Sequence, residues 1–423
     1  MSGLALVAHA LGASVTGSDR SVDTTYAARL RAAGIAPVAG HAADNVPDGA
    51  EVVLSSAIPV DNPERVRARE RGAREWHRAQ LLGELTRLRP TIAVTGTHGK
   101  TTTSSMLVHA LLGCGLDPAY LVGGEVRSTG TNAAWGEGEW LVVEADESDR
   151  SLLELTPAVA VLTNAELDHH TTYASRRDVD ATFATFLGLA RRAAVIWERP
   201  ELLALAPDGL DVVPFDADPE LLPGGSRFTL DGVEVELSVP GAHNARNAAA
   251  ALTAARFAGA DLGRAAEALR SFAGAGRRFE VLGRTPAGAQ IVDDYAHHPT
   301  EVAATIAAAR TLQPRRLVAA FQPHLFSRTQ REAHRFGQAL ATADHVVVLD
   351  VYPARERAED FPGVSGLLVA EAAADAAGGR PVAWLPTTAH ALPHLRRHLR
   401  EGDLCLTLGA GDIDGLGRAL VAG

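Results

Sequence analysis

The chain has 423 residues, of which 46% are hydrophobic, and a formal net charge of −11. This length allows roughly two to four domains, and the acidic balance argues against nucleic acid as a general partner. The two cysteines, Cys114 and Cys405, lie far apart in the sequence. They build no disulfide framework and are typical of a reducing, cytoplasmic compartment. No apolar run is long enough to cross a bilayer, so we expect no membrane partner.

Residues 1–89 are predicted to alternate between helices and short strands, beginning with a helix in which Leu4, Val7 and Leu11 repeat at helical spacing. A strand ending in Asp19 follows. A dinucleotide-binding βαβ unit has a fixed order: a first strand, a glycine-rich loop, a helix, and then a second strand that ends in an acidic residue. We therefore expect this domain to lack its first strand and loop, and the true polypeptide to extend roughly 10–20 residues further upstream.

The clearest functional pattern follows the apolar, β-branched run 91–95. The run leads into the turn Gly96-Thr97-His98-Gly99-Lys100-Thr101-Thr102, and an apolar-periodic helix comes next. Strand, glycine turn and helix in this order indicate a phosphate-binding loop, because glycines let the backbone approach a polyphosphate and the helix start offers N–H groups to it. The loop is a short Gly-x-x-Gly-Lys-Thr form, since the first glycine of the common motif would fall on Val94.

Lys100 is the only lysine of the chain. We expect it to place a compact positive charge on the phosphates, and we expect the Thr101 hydroxyl to bind Mg²⁺. The alternative is a chance Gly-Lys-Thr turn, which the preceding strand, the glycines and the single lysine disfavour.

A second α/β region is predicted over residues 90–277. Its strands are expected at 91–95, 140–144, 158–163 and 193–197, followed by a hairpin around Asp231-Gly232. The alanine-rich residues 241–272 are predicted to be helical, with a hinge at 274–276.

Polar clusters follow two of these strands, at Glu144–Asp149 and Thr163–His170. Carboxylates at the carboxyl edge of a sheet, beside a phosphate loop, are suited to hold Mg²⁺, so we predict a metal–phosphate site here. For the first cluster an acidic surface turn is the alternative. The histidine pairs 169–170 and 297–298 also allow zinc, although neither H-E-x-x-H nor paired C-x-x-C spacing occurs.

Further nucleotide-binding candidates lie at the start of the alanine-rich helix and at the hinge. His243, Asn244 and Asn247 have the donors and acceptors to contact a base; helix capping would explain one asparagine but not all three side chains. Arg277 and Arg278 suit a phosphate, with a solvated basic turn as the alternative.

The third region, 278–423, alternates strands and helices, which predicts an open parallel sheet with helices on both faces. Strands are expected at 289–293, 316–321, 345–350 and 403–408, and helices at 299–312, 328–342, 364–376 and 388–399. Polar loops beginning at Asp293, Phe321 and Asp350 follow three of the strands, at the edge where such sheets bind ligands.

Together these motifs resemble those of the Mur ligases, over essentially the whole chain and in family order. The motifs are T-G-T-H-G-K-T-T-T, E-A-D-E-S-D, N-A-E-L-D-H, G-x-H-N-x-x-N, R-R-F-E, D-D-Y-A-H-H-P-T-E, F-Q-P-H-L-F-S-R-T and D-V-Y-P-A-R-E. F-Q-P-H and D-V-Y-P-A resemble the branch that adds L-alanine. The resemblance implies an α/β fold of three domains: a truncated Rossmann-like UDP-sugar domain (1–89), a central P-loop ATPase domain (90–277) and a Rossmann-like ligase domain (278–423).

The activity that the resemblance implies is ATP-dependent amide formation in peptidoglycan precursor synthesis. The carboxylate of UDP-N-acetylmuramate would be phosphorylated by ATP, and L-alanine would attack the acyl phosphate. Implied with it are ATP and Mg²⁺, no nucleic-acid or membrane partner, and a monomer or homodimer.

Two alternatives stay open. One is the murein-recycling ligase that attaches a tripeptide to the same sugar nucleotide, which Ser148 and Pro323 disfavour. The other is a non-catalytic nucleotide-binding protein without its N-terminal loop, which the intact set Lys100, Thr101, Glu144 and His169 disfavours.

The resemblance also implies residue roles. Catalysis falls to Lys100, His169 and Arg278; ATP binding to Gly96, Thr97, His98, Gly99, Lys100, Thr101, Thr102, His243, Asn244, Asn247, Arg278 and Asp294; Mg²⁺ to Thr101, Glu144 and His169; and the amino-acid side to His324, Arg328 and Tyr352. The family's D-H-M-D or D-H-L-D stands here as Asp168-His169-His170-Thr171, with His169 in register. A second, carbamylated lysine, which some sister ligases use, is excluded because Lys100 has no companion.

Overall fold

The computed structural model describes all of residues 1–423, which fold into two compact units. The first unit comprises Met1–Leu167, Ser175–Asp216 and Ala250–Ala268, and the second comprises Asp168–Ala174, Ala217–Ala249 and Leu269–Gly423. None of the helices is both long enough and apolar enough to cross a membrane.

The first 89 residues contain four short helices and two small parallel sheets. The helices are α1 (Ser2–Ala10), α2 (Thr25–Ala32), α3 (Pro63–Glu70) and α4 (Arg78–Leu88); the strands are β1 (Ser18–Asp19), β2 (Val38–Ala39), β3 (Val52–Leu54) and β4 (Glu75–His77), paired β1–β2 and β3–β4. The predicted first helix is confirmed, and it buries Leu4 and Val7. The prediction was wrong for Leu11, which is 44% exposed because α1 ends one residue before it.

The central sheet of the first unit has seven strands in the order β11-β10-β9-β5-β8-β6-β7. They are β5 (Thr91–Thr95), β6 (Ala119–Val126), β7 (Thr131–Ala134), β8 (Leu141–Glu144), β9 (Val159–Leu162), β10 (Ala193–Trp197) and β11 (Asp211–Phe215), with helices α5 (Lys100–Gly113), α6 (Arg176–Leu187) and α7 (Pro200–Leu203). All neighbours are parallel except β6 and β7. Every residue of β5 is buried, as its apolar run predicts for a central parallel strand. Because β5 lies between β8 and β9, the residues after these three strands meet at one edge.

The next segment begins with an antiparallel sheet of β12 (Glu220–Leu222), β13 (Gly225–Leu230) and β14 (Val233–Leu237). The predicted hairpin turn is confirmed, with φ of 47° at Asp231 and 80° at Gly232. Two helices follow, α8 (Ala242–Ala255) and α9 (Leu262–Leu269). The prediction of continuous helix over 241–272 was wrong, because Gly259 adopts a left-handed φ of 84° and Asp261 accepts a hydrogen bond from Arg264 N at the start of a new helix.

The second unit contains a six-stranded sheet in the order β15-β16-β20-β17-β18-β19. Its strands are β15 (Glu280–Arg284), β16 (Gln290–Asp294), β17 (Arg316–Phe321), β18 (His345–Val348), β19 (Val382–Trp384) and β20 (Asp403–Leu408); its helices are α10 (Pro299–Thr311), α11 (Phe326–Leu340), α12 (Gly366–Ala376), α13 (Thr388–His398) and α14 (Asp414–Ala422). One face is covered by α10, α11 and α12 and the other by α13 and α14, which confirms helices on both faces.

The four strands predicted near 289–293, 316–321, 345–350 and 403–408 are parallel, as expected, and a strand that was not predicted, β15, lies antiparallel to β16 at one edge. The two strands are joined by a short turn closed by a hydrogen bond from Thr285 N to Ala289 O, and so short a connection can join only antiparallel strands.

Candidate functional site

The phosphate loop joins β5 to α5 at the centre of the first unit's sheet. Gly96 and Gly99 have positive φ of 135° and 81°, and α5 starts directly after Gly99. A Cβ added at Gly96 would lie 2.1 Å from Thr163 Oγ1, so only glycine fits there. The turn therefore brings the N-terminal N–H groups of α5 to the carboxyl edge of the sheet, the arrangement that favours an anion.

Residues after β9 hold this loop in place. Asn164 accepts a hydrogen bond from His98 N (2.8 Å) and donates one to His98 O (2.9 Å), while Thr163 Oγ1 also donates to His98 O (2.7 Å). Thr97 Oγ1 donates to Glu166 O (3.1 Å) and accepts from Glu166 N (2.8 Å). Part of the second polar cluster thus supports the loop backbone, a role the sequence analysis missed. This role could have been inferred, because the loop after β5 and the residues after β9 both follow strands of one parallel sheet and so meet at one edge.

Lys100 is held by oxygen atoms of its own loop and by a buried carboxylate. Its Nζ donates to Gly96 O (2.7 Å) and Thr97 O (3.3 Å) and lies 2.7 Å from Oε2 of Glu147. Burial alone would lower the pKa of Lys100, but nearby carboxylates, above all that of Glu147, raise it well above its usual range. The lysine is therefore a fixed positive charge at neutral pH. Glu147 was missed because E-A-D-E-S-D offers four carboxylates and no sign of which one turns inward.

Thr101 and Glu144 meet, as predicted. Thr101 Oγ1 donates to Glu144 Oε1 (3.1 Å), and Glu144 Oε2 accepts from Gly123 N (2.7 Å). A Cβ at Gly123 would lie 2.7 Å from Glu144 Oε1, so the glycine leaves room for the carboxylate. Burial raises the pKa of Glu144. Thr102, the third predicted hydroxyl residue of the loop, lies buried in the first turn of α5.

His169, predicted as the other metal ligand, belongs to the second unit. Its φ is 50°, its backbone N–H donates to Asp168 Oδ1 (2.7 Å), and its Nε2 lies 3.7 Å from Asp168 Oδ2. Its role beside Thr101 and Glu144 stays a prediction.

Asp168 forms a buried ion pair with Arg328. Both Nε (3.0 Å) and Nη2 (2.7 Å) of Arg328 donate to Asp168 Oδ1, and the side chains are only 3% and 4% exposed. Burial opposes ionisation of Asp168, but the Arg328 guanidinium and neighbouring histidines hold the pKa of the carboxyl below its usual range. Nε and Nη2 of Arg328 are therefore bound to Asp168.

The three candidates for the amino-acid side come together in the second unit. Arg328 Nη1 lies 3.3 Å from His324 Nδ1, and the His324 ring stacks on Tyr352 with ring centroids 5.8 Å apart. His297 meets His324 edge-on at 5.9 Å. Burial lowers the pKa of His324 to about 4, so this ring is neutral at physiological pH. His297 was not predicted to belong to this group.

The hinge residues have different surroundings. Arg277 donates to Asp293 Oδ2 (2.9 Å) and to Gly409 O (2.9 Å), so it supports the fold and the solvated-turn alternative is wrong for it. Arg278 lies 3.6 Å from Oε1 of Glu301, with its guanidinium 5.1 Å from the Tyr295 ring centroid.

Asp294, a predicted ATP contact, binds backbone N–H groups with both carboxylate oxygens. Its Oδ2 accepts from Phe279 N and its Oδ1 from Ala296 N, each at 2.8 Å. Burial raises the pKa of Asp294 to about 6. These bonds give Asp294 a loop-fixing role in the fold, and its contact with ATP stays a prediction.

His243, Asn244 and Asn247 lie together at the start of α8. Asn244 Nδ2 donates to Pro240 O (2.8 Å) and Asn247 Nδ2 to Asn244 Oδ1 (3.5 Å). Neither bond caps α8, because a capping side chain accepts from a backbone N–H, and Asn244 lies inside the helix. Burial lowers the pKa of His243 to about 4, which leaves a neutral ring.

Three family models match the chain in succession. The Mur ligase family, catalytic domain, matches residues 1–89; the Mur ligase middle domain matches 94–255; and the Mur ligase, glutamate ligase domain, matches 277–411.

Curated relatives match over nearly the full length. The UDP-N-acetylmuramate–L-alanine ligase of Streptomyces griseus is 42% identical, covering 99% of this chain and 93% of the relative. The protein of the same name from Mycolicibacterium smegmatis is 44% identical, covering 100% and 92%. Among solved structures, the UDP-N-acetylmuramate-alanine ligase MurC of Thermotoga maritima has a TM-score of 0.82 at 30% identity, covering 100% of this chain and 96% of that one. A murein peptide ligase of Psychrobacter arcticus has a TM-score of 0.70 at 25% identity, again covering 100% and 96%.

Proposed function

The chain belongs to the Mur ligase family, and we propose that it joins L-alanine to the carboxylate of UDP-N-acetylmuramate at the expense of ATP. The observation that carries the proposal is the loop between β5 and α5, in which Lys100 and the adjoining Thr101–Glu144 pair surround the start of a helix. Identities of 42% and 44% over nearly the whole chain, to ligases of this name, support the choice of substrates.

In this proposal residues 1–89 bind the UDP sugar, 90–277 bind ATP and 278–423 complete the ligase. The two cysteines are unpaired, which supports the predicted cytoplasmic location.

The residues around the loop fit a nucleotide polyphosphate and Mg²⁺. Gly96 and Gly99 keep side chains away from the anion, and the hydroxyl of Thr101 and the carboxylate of Glu144 are oxygen donors of the kind Mg²⁺ prefers. Bound Mg²⁺ would neutralise charge on the transferring phosphoryl group.

The chain's own contribution to phosphoryl transfer is positioning and charge. The muramyl carboxylate attacks the γ-phosphorus, the bond to the β-phosphate oxygen breaks, and ADP leaves. Lys100, charged at neutral pH, stabilises the negative charge that builds on the phosphate oxygens. The N–H groups of α5 act in the same direction.

Amide formation follows from the acyl phosphate. The neutral amine of L-alanine attacks the acyl carbon, the tetrahedral intermediate expels phosphate, and the nitrogen gives up a proton. Little covalent help is needed from the protein, which has to hold the two reactants in line. His324, Arg328 and Tyr352 are the proposed amino-acid contacts, with His324 neutral and Arg328 oriented by Asp168.

A second candidate is the tripeptide ligase of murein recycling, because the Psychrobacter arcticus structure also matches the whole chain. Its TM-score and identity are lower than those of the Thermotoga maritima enzyme, which favours the alanine-adding reaction.

The two candidates are separated by supplying the purified chain with ATP, Mg²⁺ and UDP-N-acetylmuramate, together with either L-alanine or the tripeptide. We expect ADP and UDP-N-acetylmuramoyl-L-alanine in equal amounts with alanine, and little turnover with the tripeptide. Turnover with the tripeptide alone would establish the recycling activity, and ATP hydrolysis without either product would contradict both.

A further inference from the structure

Three histidines of the second unit meet at the edge of its sheet opposite to the one that carries His324 and Tyr352. His345 is the first residue of β18, and His394 and His398 lie on α13. Because β17, β18 and β20 are parallel, their amino ends share one edge, while the loops bearing His324 and Tyr352 follow the carboxyl ends of β17 and β18. The three histidines are therefore separate from the residues assigned to the ligase reaction.

Their arrangement is set by α13. Ala391, Leu395 and Leu399 pack into the core beneath the sheet. This packing brings His394, one residue before Leu395, against His345, and places His398 one helical turn further on.

The rings approach each other closely. Nε2 of His394 lies 3.4 Å from Nε2 of His345. The rings of His394 and His398 stack with centroids 4.1 Å apart, and His345 and His398 meet edge-on at 5.8 Å. Two nitrogen ligands bound at about 2.0–2.1 Å to a tetrahedral ion would be separated by about 3.4 Å, so the His345 and His394 nitrogens already have the spacing of a metal-binding pair.

In its stacked position, the third histidine is bound to a backbone carbonyl. Nδ1 of His398 lies 2.7 Å from His394 O, and a carbonyl oxygen can only accept, so Nδ1 carries the proton. In a neutral ring with this tautomer, Nε2 of His398 is the nitrogen that has the free lone pair.

Burial and neighbouring charges disfavour protonation of His345 and His394. Burial, followed by the neighbouring His394, Arg316 and His398, lowers the pKa of His345 to about 4, while Asp403 acts in the opposite direction. Burial, His398 and Arg397 lower the pKa of His394. The positive charge of Arg316 is compensated by Asp403, with Nη2 and Oδ2 2.6 Å apart. A neutral imidazole is the form that binds a metal ion.

We propose that His345, His394 and His398 bind a divalent transition-metal ion of the zinc class, with His398 completing the set by turning its ring out of the stack. Imidazole nitrogen is a ligand for zinc, nickel, copper and cobalt, whereas Mg²⁺ prefers oxygen. The competing explanation is a hydrogen bond between two neutral rings with a third stacked on them.

The test is Co²⁺ binding to the full chain, stripped with a chelator and then kept in excess Mg²⁺ so that oxygen-ligand sites are filled. Visible absorption of Co²⁺ reports nitrogen ligation and gives the affinity. We expect one Co²⁺ per chain, displaced by Zn²⁺, and an affinity lowered at least about tenfold in His394→Gln and in His345→Gln, since loss of a mere supporting partner already costs about 10–100-fold.

The matched control is His390→Gln, on the same helix, whose exposed ring bonds instead to Thr387 Oγ1. It should bind Co²⁺ as the unmodified chain does. If His345→Gln fails to fold because that residue is buried, His394→Gln decides the question alone. Equal affinity in His394→Gln and the unmodified chain, or no Co²⁺ bound by the unmodified chain, would overturn the proposal.

Discussion

At the scale of single residues, the main feature of the phosphate loop is a buried positive charge, that of Lys100, paired with a buried carboxylate. Lys100 is the only lysine of the chain, and Glu147, whose side chain is 2% exposed, faces it at 2.7 Å. A compact ammonium fits among the carbonyl oxygens of Gly96 and Thr97, where the planar guanidinium of an arginine would not. This is a physical reason for a lysine at this position, although every other Lys or Arg position of the chain is an arginine.

The Thr101–Glu144 pair leads to a prediction about magnesium. Replacing Glu144 by Gln removes the charge but keeps the size of the side chain, so we expect the Mg²⁺ concentration for half-maximal rate to rise by about tenfold or more, while the fold is retained. His169→Ala should shift the titration in the same direction. Steady-state rates measured across a Mg²⁺ titration check both.

The control for this prediction is Glu137→Gln, which removes an exposed carboxylate of the same unit. It should leave the titration unchanged. If Glu144→Gln follows the control, Glu144 supports only Gly123 and Thr101, and the ion binds elsewhere.

Sequence alone predicted some of these residue contacts and not others. Thr101 and Glu144 were predicted to meet because each follows a strand of one parallel sheet. The Asp168–Arg328 pair was not, since nothing in either motif indicates that residues so distant in the chain share a buried ion pair. Likewise the roles of Thr163 and Asn164 depend on hydrogen bonds to loop backbone, which leave no mark on composition.

At the scale of elements, long apolar strands and regular helices were predicted well. The strands 91–95, 193–197, 316–321 and 403–408 have the predicted limits. The strand ending in Asp19 was predicted and is β1, whereas the two-residue strand β2 is too short to show an alternating pattern. The β6–β7 hairpin was missed altogether. The break after α8 was missed because alanine content alone does not show where a glycine will take a left-handed conformation.

The phosphate loop provides a prediction at this scale. Gly96→Ala places a Cβ 2.1 Å from Thr163 Oγ1 at a backbone φ of 135°, so the loop must shift away from the end of β9. We expect ATP binding to weaken at least about tenfold, because helix N–H groups hold an anion only when the loop presents them correctly. Calorimetric titration with a non-hydrolysable ATP analogue measures the effect.

Gly209→Ala is the matched control. Gly209 also has a positive φ, of 84°, but a Cβ there would meet no atom within 4 Å. The Gly209→Ala variant therefore has the backbone strain of a positive φ but no steric clash of the new Cβ. It should bind the ATP analogue as the unmodified chain does. Equal weakening in the two variants would mean that lost stability, rather than loop geometry, explains the result.

At the scale of the whole molecule, the assigned residues divide between the two units. Lys100, Thr101 and Glu144 belong to the first, whereas His169 and Arg278 belong to the second. Three family models match in the order in which the motifs occur, and the limits of the three domains stay a prediction.

In the proposed reaction, phosphoryl transfer depends on Lys100. Lys100→Ala removes the cation from buried Glu147, which is expected to cost about 3–5 kcal/mol of stability and could be mistaken for a catalytic loss. The double variant Lys100→Met/Glu147→Gln avoids that cost by removing both charges. Arg87→Ala, which deletes an exposed cation of the same unit, is the control for charge removal.

The most direct measurement is the rate of L-alanine-dependent phosphate release from ATP and UDP-N-acetylmuramate by the unmodified chain and these variants, each first shown to be folded by its melting temperature. We predict one phosphate per alanine added by the unmodified chain and by Arg87→Ala. Both Lys100 variants should lose at least about 10²-fold, because a charge placed against a developing negative charge contributes several kcal/mol to the barrier. Phosphate release that is independent of alanine, or a folded Lys100 variant that works at the unmodified rate, would contradict the account.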